Sequence, residues 1–202
     1  MATKAVLWDL GNVLLDWSPA RLYRKIFDDE EEVRFFLDHV CTMQWHAAHD
    51  RGVSMATNRV PLTAQYPHYA DAIRAWEIRW DEMFDGAIEG SVRAFRQLHA
   101  RAIPQYALSN MPSEVWPGEI RKFPFLGMMQ DAIISAEEGV IKPDPRIYEI
   151  AAARIPHAPK DVVFFDDRHQ NIEAARAFGF DAEVYSGEAQ LVADLKLRKL
   201  LP

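Results

Sequence analysis

Ala5-Val6-Leu7-Trp8-Asp9-Leu10-Gly11-Asn12-Val13-Leu14 is an apolar run that ends in one carboxylate and then turns through Gly-Asn. Far downstream the pattern recurs, with Val162-Val163-Phe164-Phe165 ending in Asp166-Asp167. Short apolar runs bounded by turn residues read as buried strands. Two such strands that each end in acid point to carboxylates gathered at one edge of a parallel sheet. A hard cation and a phosphate ester can be handled together at such an edge.

Between these anchors the chain alternates. Residues 91–101 read as a helix with Val92, Phe95 and Leu98 on one face, and 104–108 as a strand ending at Ser109-Asn110. A helix over 113–121 has Ser113 as its candidate N-cap. Ala132-Ile133-Ile134 reads as a strand, and Pro145 to Ala153 as a helix with proline in its first turn. Residues 161–165 form the strongest strand, 169–178 a helix closed by Gly179, 181–185 a strand and 188–199 a final helix. Strands alternating with helices imply an α/β fold with a Rossmann-like parallel sheet covered on both faces. Ligands in such folds bind at the carboxyl ends of the strands, here Asp9, Ser109, the 135–142 loop and Asp166-Asp167.

The stretch from about 15 to 86 differs. It holds helical patterns at 19–28, 30–40, 54–65 and 68–82, with no convincing strand. The expected organisation is therefore a core of 1–14 and 87–202 with an inserted helical cap over 15–86. Trp17, Trp45, Trp76 and Trp80 all lie in the insertion, as do His46 and His49.

Bulk properties narrow the function classes. With 202 residues and 49% hydrophobic content, the chain can bury a sizeable core. The net charge is −7 and no long basic cluster occurs, which argues against nucleic-acid binding. Cys41 is the single cysteine, so no intrachain disulfide forms, as suits a reducing cytosol. No apolar run approaches the ~18 residues of a membrane span. Lys4 is the only charged side chain before the first strand-like run, which reads as structure rather than a signal peptide. The expectation is a cytoplasmic protein with no membrane partner, its oligomeric state open.

Each polar site residue has a structural reading beside the functional one. Asp9 can cap the following turn. Ser109-Asn110 can be a turn or helix cap, or a hydroxyl and backbone N–H groups for phosphate oxygens. Lys142, in Val140-Ile141-Lys142-Pro143-Asp144-Pro145, is a surface lysine by default, yet Pro143 restricts it to extended backbone. Asp166-Asp167 can be an acidic helix start, but adjacent acids after four large apolar residues repel each other unless a cation is present. Mg²⁺ takes oxygen ligands of this kind.

Taken in order, Asp9-Leu10-Gly11-Asn12-Val13, Leu108-Ser109-Asn110, Ile141-Lys142-Pro143-Asp144-Pro145 and Phe164-Phe165-Asp166-Asp167 resemble the four motifs of the haloacid dehalogenase-like (HAD) hydrolases. The similarity spans residues 5 to about 185. The phrases WDLGNVLLDW and FFDDRHQNIEAARAFG look most like the phosphatase branch that includes α-D-glucose-1-phosphate phosphatases. The resemblance implies a Mg²⁺-dependent phosphatase that acts on a small phosphorylated metabolite, such as a sugar phosphate, through an aspartyl-phosphate. By the same resemblance Asp9 is the nucleophile, and Ser109, Asn110 and Lys142 bind the phosphate. Lys142 also positions the reacting groups. Asp9, the Gly11 carbonyl, Asp166 and Asp167 form the metal set, with Asp167 favoured as the direct ligand.

Gly11 departs from the pattern, since many members carry there an Asp that protonates the leaving oxygen. Three outcomes stay open: a preference for good leaving groups, a proton from elsewhere such as His46 or His49, or a weak phosphatase or phosphate-binding protein. His46 and His49, at i and i+3, can equally be ordinary cap histidines. Trp45, Trp76 and Trp80 either line the cap's cavity or simply pack. A metal-free 2-haloacid dehalogenase is the alternative. It has no use for tandem metal-binding acids, and its usual Tyr at position 11 is missing.

Overall fold

The computed structural model describes residues 3–202. In chain order it contains β1 (Ala5–Trp8), β2 (Leu15–Trp17), α1 (Pro19–Tyr23), α2 (Glu30–Phe35), α3 (Met43–Asp50), α4 (Met55–Gln65), α5 (Ala70–Ile78) and β3 (Phe84–Ala87). It continues through α6 (Glu89–Ala100), β4 (Gln105–Ser109), α7 (Trp116–Lys122), β5 (Asp131–Ile134), α8 (Ser135–Glu138) and α9 (Pro145–Arg154). It closes with β6 (Val162–Asp166), α10 (His169–Phe178), β7 (Asp181–Val184) and α11 (Glu188–Leu197).

Five strands form one sheet in the order β5-β4-β1-β6-β7, with every neighbouring pair parallel. The central strands are buried on both faces, as their continuous apolar runs require. Alternate residues serve opposite layers. Val6, Trp8, Val163 and Phe165 pack with α6 and α11, whereas Ala5, Leu7, Leu108 and Phe164 pack with α9 and α10. The chain builds β4 and β5 on one side of β1 and then crosses to place β6 on the other. The crevice at that switch point lies beyond the carboxyl end of β1, where Asp9 stands.

The helices from α1 to α5 have a separate core of Leu22, Tyr23, Phe36, Val40, Ile73, Trp76, Trp80 and Met83. The chain enters and leaves this layer through an antiparallel ribbon that pairs Leu15 with Ala87 and Trp17 with Phe84. Asn12 starts the turn into it at φ +58, a left-handed conformation that asparagine tolerates.

The stretch expected to lack strands therefore contains β2 and the start of β3. They are three and four residues long, each with one acid (Asp16, Asp85), so no alternation develops. The expected 19–28 helix stops at Tyr23, and the 30–40 helix finishes in a π-helical turn over Phe36–Val40. The 68–82 pattern divides into α5 and 3₁₀ turns on either side of it. Ser113 caps nothing: α7 begins at Trp116, which places Pro117 in the first turn, where its missing N–H has no intrahelical partner to lose. Asp29, Thr42, Ser54 and Asp144 do cap helices, each accepting from a backbone N–H in the first turn. No described helix is long and apolar enough to cross a membrane.

Candidate active site

The ends of β1, β4 and β6 and the segment after α8 bring the sequence-flagged residues together. Asp9 follows β1, Ser109 ends β4 and Asp166 ends β6. A cavity of about 550 Å³ lies between the sheet edge and the helical layer. Asp9, Gly11, Ser109, Asn110, Lys142 and Asp167 line it. Asp166 lies beneath, fully buried.

Lys142 is the hub. Its Nζ stands 2.7 Å from Asp166 Oδ2 and 2.9 Å from Asp9 Oδ1, and it donates to the Leu108 carbonyl at 2.8 Å. Asn110 holds the lysine's backbone from both sides, accepting from Lys142 N–H at 2.8 Å and donating to its carbonyl at 3.1 Å. The Lys142–Pro143 peptide is cis. The lysine that reads as a surface residue by default is thus 3% exposed.

Asp166 is saturated. Arg168 N–H donates to Oδ1, and Asn171 Nδ2 bonds both carboxylate oxygens at 2.9 Å. Asp9 Oδ1 accepts from Leu10 N–H at 2.7 Å. Carboxylate oxygens of Asp9, Asp166 and Asp167 lie within 4.8 Å of one another. Three acids this close repel unless a cation joins them. Burial, with repulsion from Asp166 and Asp167, pushes the Asp9 carboxyl up to about 8 against the pull of Lys142. Asp167 is raised by burial and by Asp166. Burial opposes the charge on Lys142, yet Asp166 and Asp9 hold it protonated. The single ammonium therefore belongs first to Asp166, and Asp9 and Asp167 are left short of positive charge. Hard oxygen donors with unbalanced negative charge fit a divalent cation such as Mg²⁺.

The roof of the cavity comes from the helical layer. Trp17, Trp80, Phe84, Leu37 and Met43 supply apolar surface, while His46 and Asp50 are polar members. Of the expected tryptophans only Trp80 lines the cavity. Trp45 and Trp76 pack edge-to-face with each other at 5.4 Å, and Trp17 takes a lining place. His46 lines it as well, whereas His49 lies behind, bonded to His46 at 3.2 Å through the two Nδ1 atoms. Asp50, Arg168 and Asn171 went unflagged in the sequence. Asn171 and Arg168 follow the Asp-Asp pair within one helical turn, which is a readable signal. Asp50 carries none, because its place depends on how α3 docks.

A family model described as haloacid dehalogenase-like hydrolase matches residues 3–179. Among curated proteins, the chain is 22% identical over 188 residues to the sesquiterpene phosphatase astK of Aspergillus oryzae, covering 87% of this chain and 86% of that protein. Among solved structures, it is similar to the HAD family enzyme bt-2542 of Bacteroides thetaiotaomicron in complex with magnesium and inorganic phosphate. That similarity has a TM-score of 0.66 and 22% identity, covering 91% of this chain and 94% of that one. The L-2-haloacid dehalogenase of Xanthobacter autotrophicus with covalently bound chloropropionic acid gives a TM-score of 0.66 at 16% identity, covering 98% and 84%. These structural likenesses establish the fold.

Proposed function

This chain belongs to the haloacid dehalogenase-like hydrolases, and we propose that it is a Mg²⁺-dependent phosphatase acting on a small phosphorylated metabolite through an aspartyl-phosphate on Asp9. The observation that carries this is the acid cluster: Asp9, Asp166 and Asp167 bring oxygens within 4.8 Å of one another beside a single buried lysine. A dehalogenase that attacks carbon needs no such cluster. The phosphatase relative and the neighbour bound to magnesium and phosphate support the same choice.

In this reading Asp9, the Gly11 carbonyl and Asp167 hold the ion. Asp166 remains as the charge that keeps Lys142 in place, consistent with its filled oxygens. When bound, Mg²⁺ supplies the positive charge that lets a carboxylate approach a phosphate dianion. Lys142 shares that neutralisation and fixes Asp9 Oδ1. Ser109 and the backbone after it receive the phosphate oxygens, and Asn110 holds Lys142 in register with them. Asp9 takes the phosphoryl group, and water then hydrolyses the acyl phosphate.

The 15–86 layer acts as the cap, excluding water and choosing the leaving group. A cavity of about 550 Å³ suits a metabolite-sized leaving group. Its tryptophan and aliphatic surface favours a group with an apolar face, such as a stacked sugar ring. The test is turnover of p-nitrophenyl phosphate and a phosphorylated-metabolite panel by purified protein with Mg²⁺. EDTA should abolish it, and Asp9→Asn should lower it by at least roughly 10³-fold. Chloride release from 2-chloropropionate without metal, with no phosphate release from any ester, would reverse the assignment toward a dehalogenase.

A further inference from the structure

Gly11 leaves the reaction without a proton donor on the core side. A second carboxyl reaches the cavity from the helical layer. Asp50 ends α3, is 6% exposed, and lines the cavity with Lys142 and Asp167.

The core itself fixes its position. The Ser135 hydroxyl donates to the Asp50 carbonyl at 2.7 Å and accepts from the Met111 N–H at 3.0 Å, so Asp50 is tied to the turn after Ser109-Asn110. Two residues on, Gly52 sits at φ +94, and a Cβ there would meet the Ala136 carbonyl oxygen at 2.7 Å. Only glycine allows that approach.

A pair of neutral histidines lies behind the carboxyl. Asn58 Nδ2 donates to His49 Nε2 at 2.9 Å, which leaves His49 Nδ1 as the donor to His46 Nδ1. His46 then carries its proton on Nε2, which stands 3.4 Å from Asp50 Oδ1. That oxygen is buried and makes no hydrogen bond. An acid in the chamber wall whose inward oxygen has no hydrogen-bond partner is placed for proton transfer rather than for packing.

We propose that Asp50 is the catalytic acid and base that Gly11 cannot be. The proposal rests on the phosphatase reading above. As an Asp9 oxygen bonds to phosphorus, the bond from phosphorus to the leaving oxygen breaks, and that oxygen takes the Asp50 proton. The Asp50 carboxylate then takes a proton from water as the water oxygen attacks phosphorus and the bond to Asp9 breaks. Inorganic phosphate leaves, with Asp9 ionised and Asp50 protonated as at the start.

Burial raises the Asp50 pKa to about 7 against the pull of Lys142, Arg51 and Arg168, so both forms are at hand near neutrality. The other titratable groups facing it, His46 and His49, are kept neutral by burial, at about 3 and about 4. Acid-limited turnover should therefore decline as pH rises through about 7.

The experiment compares p-nitrophenyl phosphate, whose leaving group needs no proton, with phenyl phosphate, whose leaving group does. In Asp50→Asn the p-nitrophenolate burst should stay within about threefold of wild type, while phenyl phosphate turnover falls about 10²–10⁴-fold and loses its alkaline limb. Adding Gly11→Asp to Asp50→Asn should restore phenyl phosphate turnover, since a Cβ at position 11 meets nothing within 4 Å. A p-nitrophenolate burst that falls as far as phenyl phosphate turnover, with no rescue, or undiminished phenyl phosphate turnover, overturns the proposal. A wild-type protein that releases phosphate from neither substrate, nor from the phosphorylated-metabolite panel, overturns the phosphatase reading itself, and this proposal with it.

Discussion

Lys142 carries two carboxylates on one ammonium, with Asp166 Oδ2 at 2.7 Å and Asp9 Oδ1 at 2.9 Å. Truncating one member of a buried ion pair strands its partner and costs about 3–5 kcal/mol. Lys142→Met should lower metal-free stability by about that amount, because methionine fills the space but leaves Asp166 without its counter-charge. Mg²⁺ should recover part of the loss, since it brings positive charge back to the same acids. Urea unfolding of wild type and variant, with and without Mg²⁺, checks both statements; an unchanged midpoint would mean that Lys142 is not what holds the acids. Lys142 was legible because Pro143 and the apolar pair before it mark a restrained backbone. Its burial was not, because that depends on Asn110 reaching it from 32 residues away.

The same contrast holds for whole elements. β1, β6 and α10 could be read directly: apolar runs ending in acid, and a helix stopped by Gly179 at φ +117. Helix α3 could not. It has no convincing apolar face, and its buried members His46, His49 and Asp50 are polar residues that sequence patterns assign to a surface. What seats it is a set of tertiary contacts, the Ser135 hydroxyl on Asp50 and the bare backbone of Gly52 against Ala136. Gly52→Ala places a methyl 2.7 Å from a carbonyl oxygen at φ +94, so α3 must lift. The expected loss is about 1–3 kcal/mol, the usual cost of a side chain in a strained backbone region. Phenyl phosphate turnover should fall more than the p-nitrophenolate burst, because Asp50 moves with the helix and only the phenolate needs its proton to leave. A thermal melt and the two assays together decide this; a stability loss with equal effects on the burst and on phenyl phosphate turnover would separate α3 from proton transfer.

At the scale of the molecule, the two layers respond to pH for different reasons. The sheet layer sets three carboxylates against the single ammonium of Lys142 and so raises Asp9 to about 8, whereas the helical layer buries His46 in contact with Trp17, Trp76 and Trp80, with ring centroids at 5.6, 5.0 and 5.7 Å. Burial, then the neighbouring His49, lowers the His46 pKa from 6.5 to about 3. The unfolded chain therefore binds a proton below about 6.5 that the folded chain refuses until about 3. Stability falls across that window as pH falls, by roughly 1.4 kcal/mol per pH unit once the unfolded imidazole is protonated. Asp50 acts in the opposite sense: its raised pKa favours the folded state at low pH, and that contribution is lost between 3.8 and about 7 as pH rises. The two effects offset one another between pH 4 and 6, so wild-type stability should change little there through this pair. Asp50→Asn removes the compensation and should expose the histidine slope, steepening the loss of stability from pH 6 to pH 4. His46→Asn should do the reverse and make the protein relatively more stable at pH 4 than at pH 6. Urea midpoints of the three proteins at those two pH values test it, and parallel profiles for all three would show that neither buried group governs the acid response.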